Sequence, residues 1–117
     1  MKNILKLEEM AMFGFSIYVL TQFGVAWWWY PVLVLGPDIG MLGYLAGDQT
    51  GAACYNLLHH KGIAIALMLI GLLIPDLWIE ITGIVLFGHS SMDRMLGYGL
   101  KTNEGFKYTH LGMIGKK

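Results

Sequence analysis

Charged residues are scarce in this sequence of 117 residues. Asp, Glu, Lys and Arg together make up 14% of the chain, whereas hydrophobic residues make up 56%. Residues 10–37 contain none of the four charged types, and about 20 such residues are enough to cross a bilayer. Because an ordinary soluble domain carries more charge, the composition predicts a small integral membrane protein.

Three further absences narrow the function. The single cysteine, Cys54, excludes a disulfide framework and a multi-cysteine metal site. A formal net charge of zero, with no basic patch interleaved with aromatic residues, argues against nucleic acid as a partner. No nucleophile motif, phosphate-binding loop or dinucleotide fingerprint is present. The sequence also lacks internal repeats, so we expect a single membrane domain over residues 1–117.

Helix-breaking residues divide the chain into four predicted helices. The aromatic and proline cluster at 27–31 ends the first apolar run, and polar turns follow at 47–49 and 75–76. The helices are expected at 9–29, 31–46, 50–74 and 77–99, with a tail at 100–117. Backbone that faces lipid must satisfy its own hydrogen bonds, so the favoured fold is all-α, a compact four-helix transmembrane bundle.

The basic residues predict the orientation of this bundle. Chain direction places both termini and the turn at 47–49 on one face. Seven of the eight Lys and Arg residues lie towards that face: Lys2, Lys6, Arg94, Lys101, Lys107, Lys116 and Lys117. The positive-inside rule therefore makes both termini cytoplasmic, and the tryptophans at 27–29 fit the opposite interface. The tail is expected to pack at the cytoplasmic mouth.

Four ionisable residues fall at similar depth inside the predicted spans, where such groups are costly unless they are paired or functional. A rise of about 1.5 Å per residue places Asp38, His59 and His89 about 15 to 17 Å above the cytoplasmic surface, near the bilayer middle. Asp93 lies one turn lower on the same helix face as His89. Two imidazoles and two carboxylates form a ligand set for Zn²⁺, Mn²⁺ or Fe²⁺. Asp38, His59, His89 and Asp93 are therefore the predicted metal ligands.

Two other interpretations of these four residues remain open. A hydrogen-bonded Asp–His network that fixes the bundle register would leave the same pattern. A proton or ion pathway would also use ionisable groups at this depth. Four short helices are few for a transporter, so a pathway would require a homo-oligomer, which the glycine-lined helix faces allow.

A second polar set lies nearer the predicted cytoplasmic side. Arg94, Lys101 and Asn56 are expected to bind the substrate. Arg94 and Lys101 suit an anionic group, and Asn56 shares a helix face with His59. His110 or Asp93 would move a proton in catalysis. The alternative is that the basic residues meet lipid headgroups and that His110 is an ordinary exposed histidine.

Several motifs also resemble a known family over almost the whole chain. They are LEE at 7–9, WWW at 27–29, PDIGMLGY at 37–44, YNLLH at 55–59, GHSSMDRMLGYGLK at 88–101 and THLG at 109–112. The chain is similar to the uncharacterised bacterial membrane proteins grouped as domain-of-unknown-function family 4260. The resemblance implies an all-helical, four-span protein of the bacterial inner membrane and brings no activity with it. It singles out Asp38, His59, His89, Asp93 and His110.

The leading functional hypothesis is a metal-dependent membrane enzyme. The reaction expected of it is hydrolysis of a lipid or another membrane-soluble substrate that enters from the bilayer or the cytoplasm. The alternatives are a proton or ion relay that works as an oligomer, and a non-catalytic membrane subunit with a structural polar network.

Overall fold

Helices form nearly all of the part of the chain that the structure describes. The computed structural model describes residues 2–101, 108–109 and 111–113. The helices in order are α1 (Lys2–Gln22), α2 (Trp29–Leu35), a 3-10 helix (Gly36–Ala46), α3 (Asp48–His59), α4 (Lys61–Leu73) and α5 (Leu77–Met95). Two-residue strands β1 (Tyr108–Thr109) and β2 (Gly112–Met113) pair antiparallel. The predicted all-α class and compact packing are confirmed for these residues.

The first helix differs in its bounds from the predicted range of 9–29. Helix α1 begins at Lys2 because Lys, Leu and Glu are good helix formers. The predicted start at residue 9 marked the beginning of the uncharged run, and a helix can begin before such a run. It ends at Gln22 because Gly24 takes a left-handed conformation with φ of 63°. The next helix, α2, then begins at Trp29 and accommodates Pro31 in its first turn.

The predicted helix at 31–46 is replaced by α2 and the 3-10 helix. A 3-10 helix has three residues per turn, so every third residue shares a face. One face carries the buried Pro37 and Gly40 and packs against α3. The adjacent face carries Asp38, which is partly exposed. The third face is called the outer stripe and consists of exposed residues: Ile39, Leu42 and Leu45.

The predicted helix at 50–74 is divided at His60. Helices α3 and α4 meet there at an angle of 47°, because His60 has extended backbone and its Nδ1 accepts a hydrogen bond of 3.2 Å from the amide of Ile63. The imidazole thus caps the start of α4 in the manner of an N-cap side chain. As a result, His59 is the last residue of α3.

Helix α5 is the central element and packs against α1 and α4. The Asp76 carboxylate caps its start by accepting from the amides of Trp78 and Ile79 at 3.0 and 3.2 Å. It ends at Met95 instead of the predicted 99, since Gly97 has a φ of 94°. The buried apolar core lies around this helix: Leu20, Leu33, Ile81, Ile84 and Val85.

Large apolar side chains are exposed on each of the five α-helices and on the 3-10 helix, with Leu73 on α4 at 82% and Leu45 at 89%. Within the described residues, no helix alone has the length and apolar character needed to cross a bilayer. The bent pair of α3 and α4 meets both requirements when taken together.

Candidate metal centre

Four ionisable side chains from three elements converge at one point. Asp38 comes from the 3-10 helix, His59 from the end of α3, and His89 and Asp93 from α5. One nitrogen or oxygen atom of each residue lies within 4.8 Å of the corresponding atoms of the other three. The structure therefore brings together the same four residues that the sequence placed at similar depth.

The separations around this cluster are short and similar. His59 Nε2 lies 3.3 Å from Asp38 Oδ1 and 3.2 Å from Asp93 Oδ2. His89 Nε2 lies 3.0 Å and 3.5 Å from the same two oxygens. In a tetrahedral shell with bonds of about 2.0 to 2.1 Å, neighbouring ligand atoms are about 3.3 Å apart. Four of the six separations have the size of such edges, and all six are within 4.8 Å, so the four atoms are close enough to enclose one small divalent cation.

Hydrogen bonds to the backbone fix which nitrogen of each imidazole faces the cluster. His59 Nδ1 donates to the carbonyl of Tyr55 at 2.8 Å, and His89 Nδ1 donates to the carbonyl of Leu33 at 3.0 Å. A carbonyl oxygen can only accept, so both Nδ1 atoms carry hydrogen. In a neutral imidazole, Nε2 then keeps its lone pair. The lone pairs of two nitrogens and two carboxylate oxygens thus face one another.

Facing lone pairs repel unless a positive charge lies between them. The side chains of His59 and His89 are 3% and 0% exposed, so water does not screen this repulsion. Among the described residues, His59 Nε2 makes no hydrogen bond, although both carboxylate oxygens are near. A metal ion or added protons between these atoms would remove the repulsion.

Tyr55 supports the cluster from α3. Its hydroxyl donates to Asp93 Oδ2 at 2.9 Å, and its ring stacks on the His59 ring at 3.8 Å between centroids. Outer partners of this kind orient metal ligands. Sequence reasoning missed Tyr55, although it precedes His59 by four residues and therefore shares its helix face.

Lys101 and Asn56 lie beside the cluster and join the tail to α3. The Asn56 amide nitrogen donates to the Lys101 carbonyl at 2.7 Å, and its Oδ1 accepts from the Lys101 amide at 2.5 Å. The Lys101 side chain is buried, with Nζ 4.7 Å from the centre of the Tyr55 ring. Burial lowers the pKa of the Lys101 ammonium, and the carboxylates of Asp93 and Asp38 partly offset this effect.

Comparison with known proteins gives the family of the chain. A family model described as domain of unknown function (DUF4260) matches residues 2–114. The chain belongs to this family. No curated protein and no solved structure matches it. The family match therefore agrees with the resemblance in the motifs. Its description names no activity, so the chemistry is inferred from the geometry.

The remaining predicted site residues lie outside the four-residue cluster. Arg94 is half-buried in the last turn of α5, and as the neighbour of Asp93 it projects about 100° away around the helix. His110 lies outside the described residues.

Proposed function

We propose that this protein is a metal-dependent enzyme in which Asp38, His59, His89 and Asp93 hold one divalent ion. The observation that supports this proposal is the set of facing lone pairs, with both Nδ1 hydrogens already bonded to backbone carbonyls. Two carboxylates carry two negative charges, which one divalent cation neutralises. Buried uncompensated charges are expensive, and the mixed nitrogen and oxygen set suits Zn²⁺, Mn²⁺ or Fe²⁺.

We further propose that the helices form a four-pass bundle in the bacterial inner membrane, with cytoplasmic termini. The exposed apolar side chains on every helix support this placement, because soluble monomers rarely expose large apolar patches. A tryptophan cluster supports it also, since the ring centroids of Trp28, Trp29 and Trp78 lie 4.5 to 6.4 Å apart. Such aromatic groups favour the membrane interface.

The proposed reaction is hydrolysis of a lipid or another membrane-soluble substrate. A bound divalent ion makes an attached water more acidic and polarises a carbonyl or phosphoryl oxygen. The attacking water would pass its proton to a carboxylate oxygen of Asp38 or Asp93, and the leaving group would take that proton. Lys101, and Arg94 at the end of α5, would stabilise negative charge that develops on the substrate. His110 remains a candidate for proton transfer.

Elemental analysis of protein purified without chelator tests the proposal. We expect about one transition metal ion per chain, as one four-ligand site would hold. The analysis should be repeated after incubation with Zn²⁺, Mn²⁺ and Fe²⁺ and removal of excess ion. Wild-type protein that retains none of these ions would show that the proposal is wrong.

One observation favours a metal-free alternative. The contact of 3.0 Å between His89 Nε2 and Asp38 Oδ1 has hydrogen-bond geometry, which a protonated imidazole would also make. The cluster would then be a proton or ion relay in an oligomer, or a structural network in a non-catalytic subunit. Wild-type protein that holds no metal but carries a proton or cation flux in vesicles would support the relay. Wild-type protein with neither metal nor flux would support the structural role.

Replacing Tyr55 by phenylalanine is expected to weaken metal binding by about 10- to 100-fold. The variant keeps the ring that stacks on His59 but loses the hydroxyl that orients Asp93. Competition with a chelator of known affinity would measure the dissociation constant. Tyr18→Phe is the matched control, because Tyr18 is 60% exposed on α1. Equal affinities of the Tyr55 and Tyr18 variants would show that the hydroxyl does not position the ligand.

A further inference from the structure

The proposed metal centre reaches the protein surface at one of its four ligands. The side chains of His59, His89 and Asp93 are 3%, 0% and 10% exposed, whereas that of Asp38 is 35% exposed. A substrate that reaches the ion must therefore approach past Asp38.

The surface beside Asp38 is apolar. The outer stripe begins at the next residue, and its members Ile39, Leu42 and Leu45 are 65%, 62% and 89% exposed. Leu35, one turn before Asp38, is 67% exposed. At a rise of about 2.0 Å per residue in a 3-10 helix, the stripe reaches about 14 Å from Asp38. The opening is thus continuous with a surface that suits an alkyl chain.

We propose that the substrate enters sideways from the bilayer along the outer stripe and is an amphiphile with a small, uncharged oxygen group such as an ester or amide. This inference rests on the proposed metal centre. The carbonyl reaches the ion beside Asp38 while the alkyl chain lies against Ile39, Leu42 and Leu45. A charged headgroup is costly to bring to the depth proposed for Asp38, which favours a small neutral group.

Two metal-binding probes with the same head and different tails test the route. The protein is loaded with Co²⁺ in nanodiscs of phosphatidylcholine, and the visible spectrum of the ion reports when a hydroxamate binds. Decanohydroxamate should change the cobalt spectrum at a concentration about tenfold or more below that of acetohydroxamate, because added methylenes favour apolar surroundings. The double variant Leu42→Asn and Leu45→Asn should lose most of this advantage.

A matched variant distinguishes binding of the tail at the outer stripe from general partition of the probe into the membrane. Leu69 and Leu73 are 54% and 82% exposed on α4, so Leu69→Asn with Leu73→Asn should keep the full advantage of the long tail. The lateral route would be overturned if the long probe kept the same advantage over the short one in both double variants. It would also be overturned if the two probes were equally potent on the cobalt-loaded wild type. Either result would leave the proposal of a metal centre standing. Failure of the wild type to bind cobalt would overturn both proposals.

A second measurement does not depend on the metal. A nitroxide is attached to Leu42→Cys in a Cys54→Ser background, and its collisions with dissolved oxygen and with a water-soluble nickel complex are compared. Oxygen concentrates in the bilayer, so we expect oxygen to relax the label more strongly. Stronger relaxation by the nickel complex would show that the outer stripe faces water, and the lateral route would be wrong.

Discussion

His89→Ala is expected to abolish metal binding and to lower the free energy of unfolding by about 3 to 5 kcal/mol. The His89 side chain is fully buried and contacts both carboxylates of the centre. Its removal takes away one of four ligands, and loss of the ion leaves Asp38 and Asp93 close together without its neutralising charge. Metal content per chain and thermal unfolding in detergent, each compared with wild type, would measure the two effects.

His60→Ala is the matched control for this experiment. His60 is exposed and caps α4, so its loss should cost about 1 kcal/mol and leave the metal content unchanged. A His89 variant that retains a full complement of metal would contradict the assigned ligand set. Loss of metal from both variants to the same degree would also contradict it.

Gly40→Ala is expected to weaken metal binding by about tenfold or more through a change in helix packing. A β-carbon on Gly40 would lie 2.9 Å from the Cys54 carbonyl oxygen and 3.2 Å from Tyr55 Cα. Both atoms belong to the backbone of α3, which cannot move aside as a flexible side chain can. The 3-10 helix must therefore shift, and Asp38 moves away from His59. Overpacking of this kind costs about 1 to 3 kcal/mol.

Gly14→Ala provides the comparison for Gly40→Ala. Gly14 lies within α1, and a β-carbon there meets no atom of the described structure within 4 Å. Alanine is the better helix former, so stability should stay the same or rise by up to about 1 kcal/mol, with unchanged metal affinity. Cobalt titration and thermal unfolding would test both variants. Wild-type affinity in Gly40→Ala would show that the centre tolerates movement of the 3-10 helix.

The helical class and the meeting of the four ionisable residues could be predicted because each depends on simple regularities. Apolar runs separated by breakers indicate helices, and a constant rise per residue estimates depth. Asp38 and His89 are 51 positions apart in sequence, yet counting back from the cytoplasmic ends of their two predicted helices placed them at one level. Their contact of 3.0 Å agrees with that estimate.

The division of the helices could not be predicted in the same way. His60 interrupts the predicted helix because its ring nitrogen accepts a local hydrogen bond from the Ile63 amide. This bond competes with the regular helical bond, and hydropathy does not predict it. Gly40 packs closely against the backbone of α3, which is a tertiary contact that the local sequence does not reveal. Hydrogen bonding by Tyr55 and the tautomers of the imidazoles depend on distances between elements. These features require coordinates.

The break at His60 also has an electrical consequence for the centre. Aligned peptide groups give an α-helix a partial negative charge at its carboxyl end, equivalent to about half an elementary charge. Because α3 ends at His59, this negative pole lies beside the imidazole that faces the two carboxylates. A helix continuous to Leu73 would carry its pole to the far end of α4. Helix α4 begins at Lys61 with a positive pole of similar size, and its axis is turned by 47°. The bend thus places a negative pole on the His59 side of His60, next to the centre, and a positive pole on the other side.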